Sequence, residues 1–484
     1  MMSLSGFVPR PAVPIATIAV DLSSQQRTIP NDFDGFSIEV NDAAEKYLGT
    51  PQAPNLVFEQ LLRNLGPSTI RIGGDSSDFS CWNPRKAPYP AGCLFAITPD
   101  TVRGFVQASA RTGWGITAGI NLAQNDATWT LPYGIALSRA AASTPGSRLV
   151  GFEFGNEPDL YPSETLYGHH RIRPSGYSWP NVVADWKPYV VAFKGDPATA
   201  RFALIGPAYD DSSDVWRNAY LAPFARGVGA RNLGFLTVHD YPTYTCGGHR
   251  VTVAQLLSPQ LVALYRQQAR GWIATAGRLG LPLVLGETNS TACGGQNGVD
   301  NVFAATAWGL DWLFINAQLG FARIHFHMDD AYYSAVFVRV SNHAGSVTYR
   351  NVVAPLYYAM YAFGTLAQGH ALLTTTVTTQ SNIAAYAVAG DRNTPARLFV
   401  INKDLRAAGT VVVRPSSRTR SARLLVVAAP ALTSGAVAFG GASFDDATGR
   451  LRSVPRTTAL AADAAGNYAF TLPNASIAIL SLTP

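Results

Sequence analysis

Residues 149–157 read LVGFEFGNE and residues 281–289 read LPLVLGETN. Each is a short apolar, strand-like run; the first reaches a glutamate two residues after a glycine and the second directly after one. Six more such runs lie at 33–40, 69–73, 115–121, 202–206, 233–239 and 322–327, which makes eight. Between them are longer segments, among them 55–64, 99–112, 258–279 and 301–319, whose apolar spacing follows the 3.6-residue period of a helix. Eight β-then-α units over about 300 residues predict an α/β chain folded as a (β/α)8 TIM barrel. A doubly wound sheet competes with this reading, but no G-x-G-x-x-G turn follows the first run.

After a last helical stretch at 355–364 the pattern changes. Segments 383–388, 397–402, 410–414, 422–428, 437–439, 468–472 and 476–482 are short, often alternating and separated by turn residues, as in a β-sandwich. The strand-like segment 14–21 precedes the barrel and is free to pair with that sandwich. The expected organisation is therefore an N-terminal strand segment at 1–29, a catalytic barrel at 30–364 and a C-terminal β-sandwich at 365–484.

Composition narrows the class further. The 484 residues are 47% hydrophobic and 14% charged, too apolar for a disordered chain, and the net charge of +6 is carried without a dense Lys/Arg block of the kind that tracks nucleic acid. The most apolar stretches are interrupted, 424–439 by Pro430, Ser434 and Gly435 and 308–326 by Asp311, Gln318 and Arg323, so no membrane span is expected. Residues 1–10 show no basic cluster followed by an apolar core, hence no signal peptide in the chain as it stands. The four cysteines fit no common zinc spacing; the expected bridges are Cys81–Cys93 and Cys246–Cys293, against four reduced thiols in a cytosolic enzyme. Bridges would place the protein in an oxidising compartment, secreted or periplasmic.

In a TIM barrel the chemistry sits at the C-terminal ends of the strands. There the fourth run ends in Asn156-Glu157 and the seventh in Glu287. One glutamate at a strand end is most simply a hydrogen-bonded structural residue. Two carboxylates facing one cavity are what cleavage of a glycosidic bond requires: one protonates the departing oxygen, and the other attacks the anomeric carbon or activates water.

Three strings sharpen this: RIGGDSSDF at 71–79, FEFGNEPDLY at 152–161 and VLGETNSTACGG at 284–295. Together, in this order, they resemble the retaining barrel glycosidases and, more narrowly, glycoside hydrolase family 79, the β-glucuronidase and heparanase family. The resemblance implies Glu157 as acid/base, Glu287 as nucleophile and Asn156 as a ligand of the sugar 2-hydroxyl. It also implies that Tyr241, in the string Val238-His239-Asp240-Tyr241, donates to the nucleophile with His239 beside it. Glu39 and Asn41 after the first strand and Ser77 after the second fall where the family contacts sugar hydroxyls. One departure stands out. Many members carry a tyrosine before the Gly-Gly that follows the nucleophile, and that tyrosine with the glycine amides binds the uronic acid carboxylate; here Cys293 holds the position. Gly294 and Gly295 remain to present N–H groups to an anion, with Tyr332 or Tyr333 as the replacement hydroxyl.

The reading is thus a retaining exo-β-glucuronidase with a carbohydrate substrate, no metal or organic cofactor, no nucleic-acid or membrane partner, and a monomeric state. The alternatives are an endo-acting, heparanase-like hydrolase and a carbohydrate-binding barrel without catalysis. His169, His170, Arg171 and Arg173 read as a solvated loop at the cleft rim. Asn289-Ser290-Thr291 and Asn474-Ala475-Ser476 match the glycosylation pattern, but a glycan on the first would block the cleft. For a retaining pair the carboxyl groups of Glu157 and Glu287 are expected about 5 to 5.5 Å apart, against about 6.5 to 9.5 Å for an inverting one.

Overall fold

The strands Asp34–Glu39, Thr69–Gly73, Gly115–Ile120, Arg148–Phe154, Ala203–Asp210, Leu233–Asp240, Leu283–Thr288 and Arg323–Met328 close, in chain order, into a parallel barrel. The computed structural model describes residues 13–85, 87–89, 92–163, 172–210, 220–343, 346–391 and 394–483. All eight expected strands are present. Four of them, Asp34–Glu39, Thr69–Gly73, Gly115–Ile120 and Leu283–Thr288, are buried along their whole length, as parallel strands covered by helices on one side and packed into a barrel interior on the other must be. Backbones approach closely here: a Cβ on Gly35 would collide with the Thr69 carbonyl oxygen of the neighbouring strand.

The helices begin and end where local chemistry dictates. Pro99–Thr112 opens with a capping box between Thr98 and Thr101, with Pro99 at its first position, and closes at Gly113 in the left-handed conformation. The expectation of an amphipathic helix at 301–319 is corrected. In Phe303–Leu319 every residue from Phe303 to Ala317 is buried, because this helix lies between the barrel and the C-terminal sheet and meets apolar surface on every side.

Of the other described strands, six make three two-stranded pairs and ten form a sheet with its own apolar core, built from residues such as Ile18, Val20, Leu398, Val400, Val413 and Leu480. The N-terminal strand Ala16–Thr28 belongs to it, antiparallel to Ala371–Thr379 and parallel to Gly409–Pro415. Strand Ala396–Asn402 is buried on both faces: Leu398 and Val400 point into the sheet's own core, while Phe399 and Ile401 belong to the barrel's core. Across that second face Phe314 of the helix packs on Tyr386 and Phe399, with ring centroids 4.7 and 4.9 Å away. Several strands escaped the sequence pattern. Strand Ala371–Thr379 carries threonines and half-exposed positions in place of a clear alternation. A hairpin, Val336–His343 with Ser346–Val353, follows the eighth strand, in a segment where no strand was expected.

The junction also contains a buried ion pair. Lys403 Nζ of the sheet lies 2.6 Å from Asp311 Oδ2 of helix Phe303–Leu319, and the Tyr386 hydroxyl donates to the other Asp311 oxygen at 2.7 Å. Asp311→Ala strands the Lys403 ammonium in an apolar interface and is expected to cost about 3 to 5 kcal/mol, whereas the paired replacement Asp311→Leu with Lys403→Met should recover most of the loss. Urea unfolding midpoints check this, and an unshifted midpoint in the single variant would show that the pair does not hold the junction.

Candidate active site

The turn at the end of the fourth strand aims the first carboxylate. Gly155 and Glu157 both adopt positive φ, 76° and 45°, and the Glu157 amide donates to the Ala208 carbonyl at 2.8 Å, so the chain folds sharply over the barrel mouth. A glutamate rarely occupies the left-handed region; here the neighbouring strand's carbonyl holds it there. Its Oε1 lies 2.8 Å from His239 Nδ1 at the end of the sixth strand. Burial pushes the Glu157 carboxyl well above the ordinary carboxylate range, and the charges of Asp210 and Glu287 add to the shift. Burial also drives His239 well below its ordinary value, with the Arg71 cation acting in the same direction. The contact therefore shares one proton between an uncharged acid and an uncharged imidazole.

Glu287 has the opposite environment. Burial works against its ionisation, but the fields of His327, His239 and Arg71 and the hydrogen bond from Tyr241 outweigh it and hold its carboxyl below the usual range. With His239 neutral, the lasting cation is Arg71. Its Nη1 lies 2.6 Å from Glu287 Oε2, and the Tyr241 hydroxyl donates to Oε1 at 2.8 Å. His327 Nδ1 is 3.5 Å from the same Oε2, and its Nε2 is 3.7 Å from Glu39.

Arg71, Ser37, His327 and Glu153 were not singled out from the sequence. Arg71 is buried in the second strand and reaches four partners: Nε to Glu153 at 2.5 Å, Nη2 to Asn156 Oδ1 at 2.7 Å, and Nη1 to Ser37 at 2.9 Å and to Glu287. A charge inside an otherwise apolar strand, Arg71 in TIRIG or Glu153 in GFEFG, is the signal that could have found them.

The expected sugar ligands divide into those at the site and those set back from it. Asn156 is locked: Arg71 can only donate, so Oδ1 faces it, and Nδ2 donates to Asp75 Oδ1 at 2.7 Å, which leaves one N–H for a ligand. Glu39 accepts from the amides of Ser76 and Asp75 at 2.7 and 3.1 Å. Burial, and secondarily the charge of Glu287, raises its carboxyl to about 8. Asn41 donates to Asp42 at 3.1 Å. Ser77 is buried against Gly119 of the third strand, its hydroxyl without a partner among the described residues, while its neighbour Ser76 accepts from the Val40 amide at 2.8 Å. Tyr333 is buried with its ring 6.1 Å from that of Tyr241 and 6.2 Å from that of His327. Tyr332 instead is exposed, and its amide donates to the Gly294 carbonyl at 2.9 Å.

Both expected disulfides are present, Cys81–Cys93 and Cys246–Cys293. The second pins the loop after Glu287, where Cys293, Gly294 and Gly295 all have positive φ. A Cβ on Gly295 would lie 3.2 Å from both the Tyr333 amide nitrogen and Asp300 Oδ2, so the glycine fits a tight fold of the rim. Asn289 is fully buried and donates to the His327 carbonyl, which excludes a glycan there. Arg173 is not the solvated residue expected: it donates to Asp185 and to the carbonyls of Leu122 and Ala123 and lies near the rings of Tyr161 and Tyr177. His169, His170 and Arg171 lie outside the described residues, as do residues 1–10.

Glu157, His239 and Glu287 each present a ligand atom, all within 4.8 Å of one another, a spacing at which a cation could be held. Arg71 already supplies positive charge there, and His239 Nδ1 is engaged by Glu157, so the cluster is better suited to moving a proton than to coordinating a metal. Among the described residues no helix is long and apolar enough to cross a membrane.

The architecture is one found in barrel glycosidases. Solved structures that superpose on almost the whole chain include a 4-O-α-L-rhamnosyl-β-D-glucuronidase from Fusarium oxysporum 12S, with TM-score 0.74, 18% identity and coverage of 96% of this chain and 100% of that one. A GH51 arabinofuranosidase from Xanthomonas axonopodis pv. citri superposes with TM-score 0.71, 14% identity and coverage of 97% and 100%. At these identities the likeness is one of fold. In sequence, the chain is 26% identical over 388 residues to a β-glucuronidase of Neurospora crassa, covering 72% of this chain and 66% of the relative, and 26% identical over 327 residues to one of Aspergillus niger, covering 62% and 59%. The match thus spans a little under two thirds of each fungal relative. No protein-family model matches the chain. The likeness to β-glucuronidases carried by the three motifs is borne out by these relatives.

Hydrogen bonding to the ionised form keeps Glu287 acidic, so removing the donor must raise its pKa. In Tyr241→Phe the acidic limb of the pH–kcat/KM profile, where activity is lost as Glu287 gains a proton, is expected to move to higher pH. A profile that keeps its acidic limb in place would show that Tyr241 does not tune this carboxylate.

Proposed function

We propose that this chain is a retaining exo-β-glucuronidase that removes β-linked glucuronic acid from glycans and glucuronides. The observation that carries the reading is the pairing of a part-buried Glu157 with a buried Glu287 of opposite electrostatics, an oxygen of one within 4.8 Å of an oxygen of the other. That spacing favours direct attack over an intervening water. Glu157, kept protonated, gives its proton to the glycosidic oxygen while the ionised Glu287 attacks the anomeric carbon; the C–O bond to the aglycone breaks, and the aglycone leaves as an alcohol. With the Glu287 charge consumed in the ester, Glu157 becomes a stronger acid and stays ionised as base. It takes a proton from the incoming water, whose oxygen displaces Glu287.

The free N–H of Asn156 is placed to meet the sugar 2-hydroxyl. Gly294, Gly295 and the inward-facing Tyr333 are the groups that would receive the uronate carboxylate in the absence of the family's tyrosine; Tyr332 serves through its backbone. The two disulfides support a secreted protein, since such bridges persist in oxidising compartments.

A set of nitrophenyl glycosides that differ only in the sugar tests the substrate class: the β-glucuronide should be cleaved and the β-glucoside should not, and the reverse preference would end the reading. With a glucuronate polymer, an exo enzyme releases monosaccharide without an early fall in viscosity. The two glutamates should fail differently. Glu157→Ala should cripple natural glucuronides but spare the first step on an activated nitrophenyl glucuronide, and azide should rescue its second step as the β-glucuronosyl azide. Glu287→Ala should be inactive on both, and azide, taking the place of the missing carboxylate on the α face, should restore cleavage of the activated nitrophenyl β-glucuronide as the α-glucuronosyl azide. Equal loss on every substrate without rescue at either position would show that the pair is not an acid and a nucleophile.

A further inference from the structure

The loop that carries Tyr241 to the nucleophile also forms the wall of a second cavity, of about 520 Å³, that begins at Pro242 and is lined by Tyr244, His249, Arg250, Val251, Leu261 and Leu264 among others. This volume lies within the roughly 300 to 1,000 Å³ that small-molecule sites occupy. Its chemistry is one-sided. Leu264 and Tyr244 are 65% and 52% exposed, two large apolar groups left to solvent beside one another. The Tyr244 ring is held edge-on by the His249 ring, with centroids 4.8 Å apart and 73° between the planes. Arg250 makes no ion pair with any described residue, and no aspartate or glutamate lines the cavity.

The wall is also preformed. Thr243 and Tyr244 pair with Thr291 and Ala292, the Thr243 hydroxyl donates to the Ser290 carbonyl at 2.8 Å, and Cys246 is bridged to Cys293. A ligand that settled there would not have to order the loop first, which lowers the cost of binding.

We propose that this cavity is a second sugar site, which takes a uronic acid unit of an acidic glycan away from the bond being cleaved. The apolar C–H face of the pyranose packs on Tyr244 and Leu264, and its carboxylate pairs with Arg250. A neutral sugar would leave the guanidinium unmatched, and a simple anion would leave the apolar surface uncovered. The proposal rests on the glycan-directed reading of the catalytic site. It makes the chain a binder of extended acidic substrates and not only of single glucuronides.

The test uses Tyr244→Ala and Arg250→Gln in the full chain, each built also in a Glu157→Ala background so that the ligand is not consumed. Calorimetry with a glucuronate oligosaccharide and with its carboxyl-reduced counterpart reads binding; a nitrophenyl glucuronide reads the catalytic pocket. For either variant the dissociation constant of the acidic oligosaccharide is expected to rise about tenfold, the scale of one lost charge-assisted or stacking contact. Arg250→Gln should leave the weaker binding of the reduced oligosaccharide unchanged, and neither substitution should alter kcat/KM on the nitrophenyl glucuronide. Acidic-oligosaccharide affinity that is the same in both variants as in their parent overturns the second site while the catalytic reading stands. Tyr244- and Arg250-dependent binding in a protein that cleaves no glucuronide keeps the site and removes the catalytic reading, with thermal unfolding showing that the chain is folded.

Discussion

One guanidinium sets the geometry of this protein's mouth. Arg71 is buried, and a charge in that position persists only if it is paired and its hydrogen bonds are satisfied. Its partners come from three other strands: Ser37 from the first, Glu153 and Asn156 from the fourth and its following turn, and Glu287 from the seventh. Strands that only hydrogen-bond to their neighbours are thereby cross-linked through the barrel interior. The turn that bears Glu157 and the strand that bears Glu287 are registered against the same planar group. Desolvating such a cluster is costly, and removing one member is costlier still, because it leaves an uncompensated buried charge. The arrangement is therefore better understood as a positioning device than as a source of stability.

The same group divides the two glutamates. Glu287 is buried and Glu157 largely so, and desolvation alone would raise both. Glu287 sits against Arg71 and under the Tyr241 hydroxyl and stays ionised; Glu157 has only a neutral imidazole beside it, with Asp210 and Glu287 repelling its charge, and stays protonated. Two identical side chains thus acquire the complementary states that acid and nucleophile require, and the difference lies wholly in their neighbours.

Rigidity around the mouth comes from outside the barrel as well. Helix Phe303–Leu319 is clamped between barrel and sheet, with Asp311 and Lys403 paired at the junction, and the N-terminal strand is threaded into the far sheet before the barrel begins. At the rim, the Cys246–Cys293 bridge joins the loops after strands six and seven, so the segment that follows Glu287 is tied to the one that follows Tyr241. Loops held in this way present groups to a substrate without losing freedom when it arrives.

The sequence by itself determined the barrel and the closing sheet, favoured the cysteine pairing that the structure shows, and marked the two glutamates. Each of these is written in local pattern: apolar runs ended by glycine, cysteines in pairs, carboxylates at strand ends. It did not determine Arg71, Ser37, Glu153 or His327 as parts of the site. Their meaning is a matter of which strands meet across the barrel interior, and that is set by closure rather than by any spacing along the chain. The burial of Phe303–Leu319 on every side, the turn of Tyr333 inward and Tyr332 outward, and the use of Arg173 as a clamp were likewise decided only by the tertiary structure. In each case the deciding quantity is what lies on the far side of the residue, and a neighbour hundreds of residues away in the chain leaves no mark on the local sequence.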